Sequence, residues 1–150
     1  MSPSQRPLPY TGPWYQGFIF VLVSSTPGKP NHILTISQQF NEPWGEKAYI
    51  TGSWVGENPS GQMSPKSFQG LIAQNGNHIS CSWPSPGGSN QLAGSLTYTP
   101  GEFIPKRGLI WPSAFIDGEV TDQDGQPAGP GHVTGTGTRP WVAAPWAATQ

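Results

Sequence analysis

The stretch Ile50-Thr51-Gly52-Ser53-Trp54 carries the pattern that decides the fold of this chain. Its apolar ends flank a central glycine, and the same apolar-x-Gly-x-apolar pattern returns at Leu92-Ala93-Gly94-Ser95-Leu96 and Ile116-Asp117-Gly118-Glu119-Val120. Alternation with a period of two is typical of a strand with one buried face. A glycine inside a strand weakens a flat sheet, but it makes room where the sheet bends or a large neighbour approaches. The repetition therefore favours a closed barrel over an open sheet.

Strands separated by turns are expected along most of the chain. Its 18 prolines and 20 glycines leave few windows in which a helix could run unbroken. Asn75-Gly76 and Asp124-Gly125 are dipeptides typical of tight hairpins, because both residue types tolerate a positive φ. We predict strands at about residues 14–24, 33–40, 49–55, 68–73, 78–83, 91–99, 108–115 and either 116–120 or 132–138.

This order of elements predicts an all-β protein with a single domain, an antiparallel up-and-down β-barrel of about eight strands. The barrel is expected over residues 11–138. Residues 1–10 are polar and rich in proline, which predicts a flexible N-terminal segment, and residues 139–150 predict an irregular C-terminal tail. Trp141 and Trp146 of this tail would pack on the barrel or on a neighbouring chain.

The first predicted strand is apolar on both faces. Phe18, Phe20 and Leu22 share one face, and Ile19, Val21 and Val23 share the other. Such a strand indicates cover from a second subunit in a homo-oligomer or from the C-terminal tail, or else a central place in a sandwich.

Charge and composition exclude several classes of protein. The chain has seven Lys and Arg residues and eight Asp and Glu residues, and only Lys106-Arg107 places two cations side by side. We therefore expect neither a nucleic acid nor a membrane as partner. The single cysteine, Cys81, excludes an internal disulfide and a cysteine-based zinc site, and we expect no cofactor. The N-terminus has no apolar segment of a secretory signal, which indicates a soluble, cytoplasmic protein.

Three of the seven tryptophans lie in or at the end of predicted strands: Trp54, Trp83 and Trp111. Tryptophan is difficult to place in a small core because its indole N–H needs a hydrogen-bond partner. Its recurrence on successive strands predicts an aromatic-lined, apolar cavity.

The order of these motifs resembles the avidin and streptavidin family of eight-stranded barrels. The stretch Thr11-Gly12-Pro13-Trp14-Tyr15-Gln16 is similar to the family's Thr-Gly-x-Trp-x-Asn start, and Thr51-Gly52-Ser53-Trp54 is similar to its Thr-Gly-x-Tyr strand. Trp83, Gly94 and Trp111 follow at nearly the spacing of the family's later motifs. The resemblance extends from about residue 11 to residue 113.

The resemblance implies a ligand such as biotin inside the barrel. Trp83 and Trp111 would match the aromatic walls around the ligand, and Trp54 would replace a tyrosine that binds the ureido group. Gln16 would take the place of an asparagine that donates to the ureido oxygen, and His132 is the nearest polar candidate on the closing strand. The family's serine on the second strand has no match here. Because each lost hydrogen bond costs about 1–3 kcal/mol, biotin affinity of the family's kind is not expected.

The other reactive residue types predict ordinary structural positions. His32 and His78 both follow Asn and precede Ile at the starts of predicted strands, and they would lie at one barrel rim without a catalytic or metal-binding role. Asp117, Glu119, Asp122 and Asp124 lack the distal Glu of a calcium loop and indicate a solvated hairpin tip. Cys81 alternates with apolar residues, which predicts burial.

Three functions fit these observations. The first is a non-catalytic barrel that binds a small hydrophobic or heterocyclic ligand. The second is a lectin that binds sugars at exposed loops, because Asn, Gln, Ser, Thr and Trp are abundant. The third is a lipocalin-like cyclase or isomerase without a cofactor, which would hold a flexible apolar substrate in a folded shape. For the first, the predicted ligand-binding residues are Trp54, Trp83, Trp111, Gln16, Tyr15, Phe18, Tyr98 and His132.

Overall fold

The computed structural model describes residues 8–57 and 60–140, and it contains one closed β-barrel. The strands are β1 (Ile19–Ser24), β2 (His32–Asn41), β3 (Ala48–Glu57), β4 (Met63–Ala73), β5 (His78–Ser85), β6 (Gly88–Thr99), β7 (Glu102–Ile104), β8 (Gly108–Ile110), β9 (Ser113–Asp122) and β10 (Pro127–Thr138). Eight of them form the antiparallel wall in chain order, and β10 pairs with β1 to close it. The predicted all-β, single-domain, up-and-down barrel is confirmed. Among the described residues no helix is long and apolar enough to cross a membrane.

The strand β1 begins later than the sequence predicts. Gly17 has a φ of 93°, which takes the backbone out of the extended region, and the Phe18 N–H donates to the Tyr15 carbonyl at 3.0 Å. Residues 14–18 therefore form an irregular segment with a turn instead of a strand. Regular pairing starts at Ile19, which lies opposite Thr35 of β2.

The last two strands of the wall are β9 and β10, so both segments offered as alternatives for the final strand belong to the barrel. The predicted strand at 108–115 is wrong, because this stretch divides between β8 and the start of β9. The strands β7 and β8 form a hairpin of their own, inserted between β6 and β9. Pro112 separates this hairpin from β9, since a proline has no N–H to donate to a strand partner.

Gly94 and Gly118 show why the repeated glycine pattern belongs to a barrel. The two residues lie directly opposite each other in the ladder between β6 and β9. A Cβ built on Gly94 would overlap the Cα of Gly118 and the carbonyl oxygen of Asp117. The two strands approach this closely only because neither residue carries a side chain. The closed barrel that the repeated glycine pattern favours is confirmed.

Alternate side chains point into the barrel and fill its middle. Phe20, Leu34 and Leu92 from three different strands are fully buried, and they belong to one continuous core. On β1 the intervening residues Val21 and Val23 point outward and are 44% and 51% exposed. The outer face of β1 is therefore part of the barrel's surface, not the centre of a sandwich.

The two ends of the barrel differ. At one end the last residue of β1 meets the start of β2, the end of β3 and the start of β10, and we call this the open end. The opposite end, which we call the closed end, is covered by residues 8–18 and by Arg139.

Gln39 is the polar centre of the closed end. Its side chain is 3% exposed and accepts a hydrogen bond from the Tyr15 N–H at 2.8 Å. Its amide nitrogen donates to the Pro13 carbonyl at 3.3 Å and to Oδ1 of Asn41 at 2.8 Å. These bonds attach the irregular N-terminal segment to β2.

Two residues from the predicted terminal segments also pack on the closed end. Tyr10 is 6% exposed, and its hydroxyl donates to the Pro13 carbonyl at 2.6 Å. Arg139 donates to the carbonyls of Gln16 and Trp14, both at 3.0 Å. Trp141 and Trp146 lie outside the described residues.

Candidate ligand-binding site

A cavity of about 490 Å³ lies at the open end of the barrel. Its inner wall includes three buried aromatic side chains, His32 of β2, Trp54 of β3 and Trp83 of β5, beside the buried Val120 and Pro130. Polar side chains surround its mouth: Lys29, Glu57, Ser64, Lys66, Ser85 and Asn90. The volume lies in the range of roughly 300–1,000 Å³ that is typical of small-ligand sites. The cavity is thus large enough for a small ligand, and its lining is both aromatic and polar.

Trp54 and Trp83 stack on each other in this wall. Their ring centroids are 4.3 Å apart, and the ring planes are 17° from parallel. Both residues occupy inward positions of their strands, and the strand β4 separates β3 from β5 in the wall. The two indoles are only 3% and 5% exposed, so packing holds them in place before any ligand arrives. The pair forms a rigid aromatic surface of the kind that binds flat ligands.

His32 extends the aromatic wall. Its ring centroid lies 5.3 Å from that of Trp54, with the planes 34° apart. Its Nδ1 lies 3.0 Å from the Pro30 carbonyl oxygen, so Nδ1 carries the proton that is donated and Nε2 is left as an acceptor. Burial lowers the pKa of His32, and it outweighs the Pro30 carbonyl and Glu57, which act to raise the pKa. His32 is therefore neutral at pH 7.

Three ring nitrogens of this wall remain available to a ligand. In the part of the chain that the structure describes, no protein atom forms a hydrogen bond with Nε2 of His32 or with Nε1 of Trp54 or Trp83. Every side-chain nitrogen or oxygen that is fully buried in that part of the chain has a hydrogen-bond partner. Because these three nitrogens have none, each of them must be in contact with solvent. The wall offers two N–H donors and one acceptor.

Gly56 allows the rings of Trp54 and His32 to meet at the end of β3. A Cβ at this position would lie 2.6 Å from Nε1 of Trp54 and 2.8 Å from Cδ2 of His32. Both distances are shorter than real Cβ contacts, so any side chain here would displace one of the two rings. The absence of a side chain at position 56 is part of the site's geometry.

The charges at the mouth come from three side chains. Lys66 lies directly opposite Trp54 in the ladder between β3 and β4, on the inward face that it shares with Phe68. Lys29, in the loop between β1 and β2, and Glu57, at the end of β3, are exposed. Their charges act on His32 in opposite senses: Lys29 lowers its pKa and Glu57 raises it.

Of the predicted site residues, the structure places Tyr15, Phe18 and Tyr98 together at the closed end. Tyr15 makes edge-to-face contacts with Phe18 at 5.5 Å and with Tyr98 at 5.9 Å between centroids. Its hydroxyl donates to the Gly76 carbonyl at 3.0 Å, and burial raises its pKa far above the usual range. These residues close the barrel and do not line the cavity.

Gln16 is separated from the tryptophan pair. Its Oε1 accepts a hydrogen bond from the Gln39 N–H at 3.0 Å, and Gln39 lies opposite Ile50 in the ladder between β2 and β3. Trp54 is four residues further along β3 than Ile50, roughly 13 Å at the rise of a strand. The packed core lies between them. The pairing of Gln16 and Trp54 around one ligand, which the resemblance to avidin implies, does not form.

His132 and Trp111 also lie away from the cavity, contrary to the expectation from sequence. Val133 points into the barrel, so its neighbour His132 points outward, where Nε2 lies 2.7 Å from Oδ1 of Asp117. Trp111 is 51% exposed in the break between β8 and β9. Neither residue shares a surface with Trp54.

His32 and His78 lie at opposite ends of the barrel, which corrects the expectation of a shared rim. β2 and β5 run in opposite directions because strand direction alternates around the wall. His32 therefore begins β2 at the open end, while His78 begins β5 at the closed end.

His32 and Lys66 line the cavity, although neither is among the ligand-binding residues predicted from the sequence. The predicted fourth strand begins at residue 68, whereas β4 begins at Met63. Extending the alternation back from Phe68 would have placed Lys66 on the inward face.

A second concavity of about 710 Å³ lies on the outer face of the wall. Its exposed lining is polar and includes Thr51, Gln69 and Ser82. Trp83 and Phe68 border it, and they are 5% and 2% exposed. Two aromatic rings border this groove, against three at the open-end cavity, so it is the weaker candidate.

Two other predictions concern reactive side chains. Cys81 is 2% exposed, as predicted, and burial raises the pKa of its thiol far above the usual range. Oδ1 of Asp122 accepts hydrogen bonds from the N–H groups of Asp124 and Gln126, as in an ordinary hairpin turn. Among the described residues, no group of three or more His, Cys, Asp or Glu side chains could hold a metal ion.

The chain was compared with known protein families, with curated proteins and with solved structures, and none of the three comparisons finds a match.

Proposed function

We propose that this protein binds a small planar ligand, without catalysis, in the cavity at the open end of the barrel. The observation that carries the proposal is the stacked pair Trp54 and Trp83, buried in the wall of a cavity of about 490 Å³. A flat ligand would lie against this pair, and the free ring nitrogens beside it would fix its orientation.

The rigidity of the wall supports binding. Trp54 and His32 are 3% and 2% exposed, so their side chains lose little further freedom when a ligand arrives. Binding at a pre-formed site avoids the cost of ordering side chains, which is about 0.5–1.5 kcal/mol for each one immobilised.

The likeness to avidin supports the same type of function in its general features. A closed eight-stranded barrel with an inward tryptophan, Trp83, on β5 is compatible with that family's plan. Because Gln16 is bonded to Gln39 at the closed end, the ligand proposed here is not held by the polar contacts of that family.

The two other functions have less support. A cyclase or isomerase could use the neutral His32 as a base, but it would also need a proton donor facing it. Glu57, the carboxylate that interacts with His32, is exposed at the rim. A lectin would use the polar outer groove, which two aromatic rings border, against three at the open-end cavity.

The test uses 2-naphthol as a flat, neutral probe. We expect its binding to shift the indole N–H signals of Trp54 and Trp83 in a proton–nitrogen correlation spectrum, and to leave the signal of Trp111 in place. We expect Trp54→Leu and Trp83→Leu to weaken binding about 10-fold, since one aromatic pair is worth about 0.5–1.5 kcal/mol.

Trp111→Leu is the matched control, because it removes a tryptophan that is 51% exposed and distant from the cavity. Circular dichroism of each variant verifies the fold. Unchanged affinity in both cavity variants, or shifts confined to Trp111, would rule out the proposed site. Native mass spectrometry of protein purified from its source would then identify the natural ligand.

A further inference from the structure

We propose that the ligand of the open-end cavity is a planar aromatic anion, whose acidic group pairs with Lys66 and whose ring carries a donor that binds Nε2 of His32. This inference rests on the proposed function and names the chemical class of its ligand. The acidic group is a carboxylate or a group of similar geometry and charge.

The first observation is the position of Lys66. It lies on the inward face of β4, directly opposite Trp54, and its side chain is partly buried against the cavity. In the described part of the chain the ion pair found is that of His132 with Asp117, and no carboxylate pairs with Lys66. An ammonium beside an aromatic wall, without a protein counter-ion, is suited to bind an anionic group of a ligand.

The second observation is the charge balance around the cavity. Lys29 and Lys66 contribute two positive charges to the mouth, and Glu57 contributes one negative charge. The neutral His32 adds none. The mouth therefore carries a net positive charge, whereas the whole chain carries a formal net charge of −1.

The third observation is the set of hydrogen-bonding groups. On the inner wall Trp54 and Trp83 present N–H donors and Lys66 presents an ammonium, against one side-chain acceptor, Nε2 of His32. A ligand that satisfies them must be rich in acceptor oxygens. The acceptor Nε2 of His32 lies on the same wall and requires one donor, such as a ring hydroxyl or a ring N–H.

The experiment compares two probes of nearly the same shape, the neutral 2-naphthol and the anionic 6-hydroxy-2-naphthoate. Calorimetric titration at pH 7.5 measures the affinity of each probe for the wild-type chain, for Lys66→Gln and for Lys47→Gln. Lys47 is the matched control, because it is partly buried like Lys66 but lies at the opposite end of the barrel. It directly precedes β3 at the closed end, and its Nζ lies 5.6 Å from the centroid of the Tyr49 ring.

We expect the wild-type chain to bind the naphthoate on the order of 10-fold more tightly than 2-naphthol, in keeping with one charge-assisted hydrogen bond. Lys66→Gln should remove this preference by weakening naphthoate binding about 10-fold relative to 2-naphthol, while Lys47→Gln should preserve it. If 2-naphthol binds at Trp54 but the naphthoate binds no more tightly, or if Lys66→Gln keeps the preference, the inference is wrong and the proposed function stands. If neither probe binds the wild-type chain, both are wrong.

Discussion

His32 and Trp54 meet ring against ring at the open end, with their centroids 5.3 Å apart. His32 is the first residue of β2, a position that would normally be open to water, yet it is 2% exposed. Its burial disfavours the imidazolium form and lowers its pKa below the ordinary value of 6.5. The protein therefore holds an uncharged histidine at the site where we place the ligand.

This burial predicts a loss of stability in acid. Below pH 6.5 the unfolded chain binds a proton at His32 that the folded chain does not, so the free energy of unfolding falls as the pH falls. The loss continues until the pH reaches the lowered pKa of the folded state. Urea unfolding between pH 7.5 and pH 5 should show a shallower decline in His32→Asn than in the wild type. Equal declines in the two proteins would show that His32 does not titrate differently on unfolding.

Gly56→Ala is expected to damage the cavity more than the fold. The new Cβ would lie 2.6 Å from Nε1 of Trp54, and it must push this indole or the His32 ring out of position. We expect the affinity for 2-naphthol to fall by about 2- to 10-fold, the effect of losing an aromatic contact worth about 0.5–1.5 kcal/mol. Fluorescence titration would measure it, and wild-type affinity in this variant would contradict the described wall.

Gln39→Leu is expected to destabilise the closed end. It removes the acceptor of the buried Tyr15 N–H, and an unsatisfied buried donor costs about 1–3 kcal/mol. The neighbouring variant Gln38→Leu is the control, because Gln38 is exposed and such surface changes usually stay within about 0.5 kcal/mol. Chemical unfolding of both variants would compare them. An equal effect of the two substitutions would contradict the role of Gln39.

Gly94→Ala is expected to strain the barrel wall. Its methyl group would overlap Gly118 and the carbonyl of Asp117 on the neighbouring strand, so β6 and β9 would have to separate locally. Overpacking of this kind typically costs about 1–3 kcal/mol. Ser95→Ala is the control, because Ser95 is the next residue and is exposed; its thermal midpoint should stay within about two degrees of the wild type. An equally small change in Gly94→Ala would show that the wall can accommodate a methyl group at this position.

The alternation of apolar residues was sufficient to predict the barrel and the two tryptophans of the cavity's inner wall, but not His32 beside them. Trp54 and Trp83 follow from their strand positions alone, since each lies in phase with buried neighbours. Trp111 could not be placed in the same way, because the break at Pro112 moves it onto a hairpin outside the wall.

The contents of each barrel end depend on strand direction, which a local pattern does not reveal. Gln16 and Trp54 occur in similar motifs, but they are placed at opposite ends once the direction of each strand is known. Lys66 was not predicted for a different reason. Its neighbour Pro65 interrupts the strand pattern in the sequence, although Pro65 belongs to β4 and lies opposite Val55 of β3.

The burial of Cys81 has a practical consequence for detecting a ligand. It is the single thiol of the chain, and because burial raises its pKa it stays protonated and unreactive toward alkylating dyes. A cysteine introduced at the rim, as in Ser85→Cys, would then be the one thiol that a maleimide fluorophore labels. The dye would sit at the mouth of the cavity, where Ser85 bonds to Asn90, and its emission would report on occupancy. The chain could thus be converted into a reagentless sensor for whatever compound it binds.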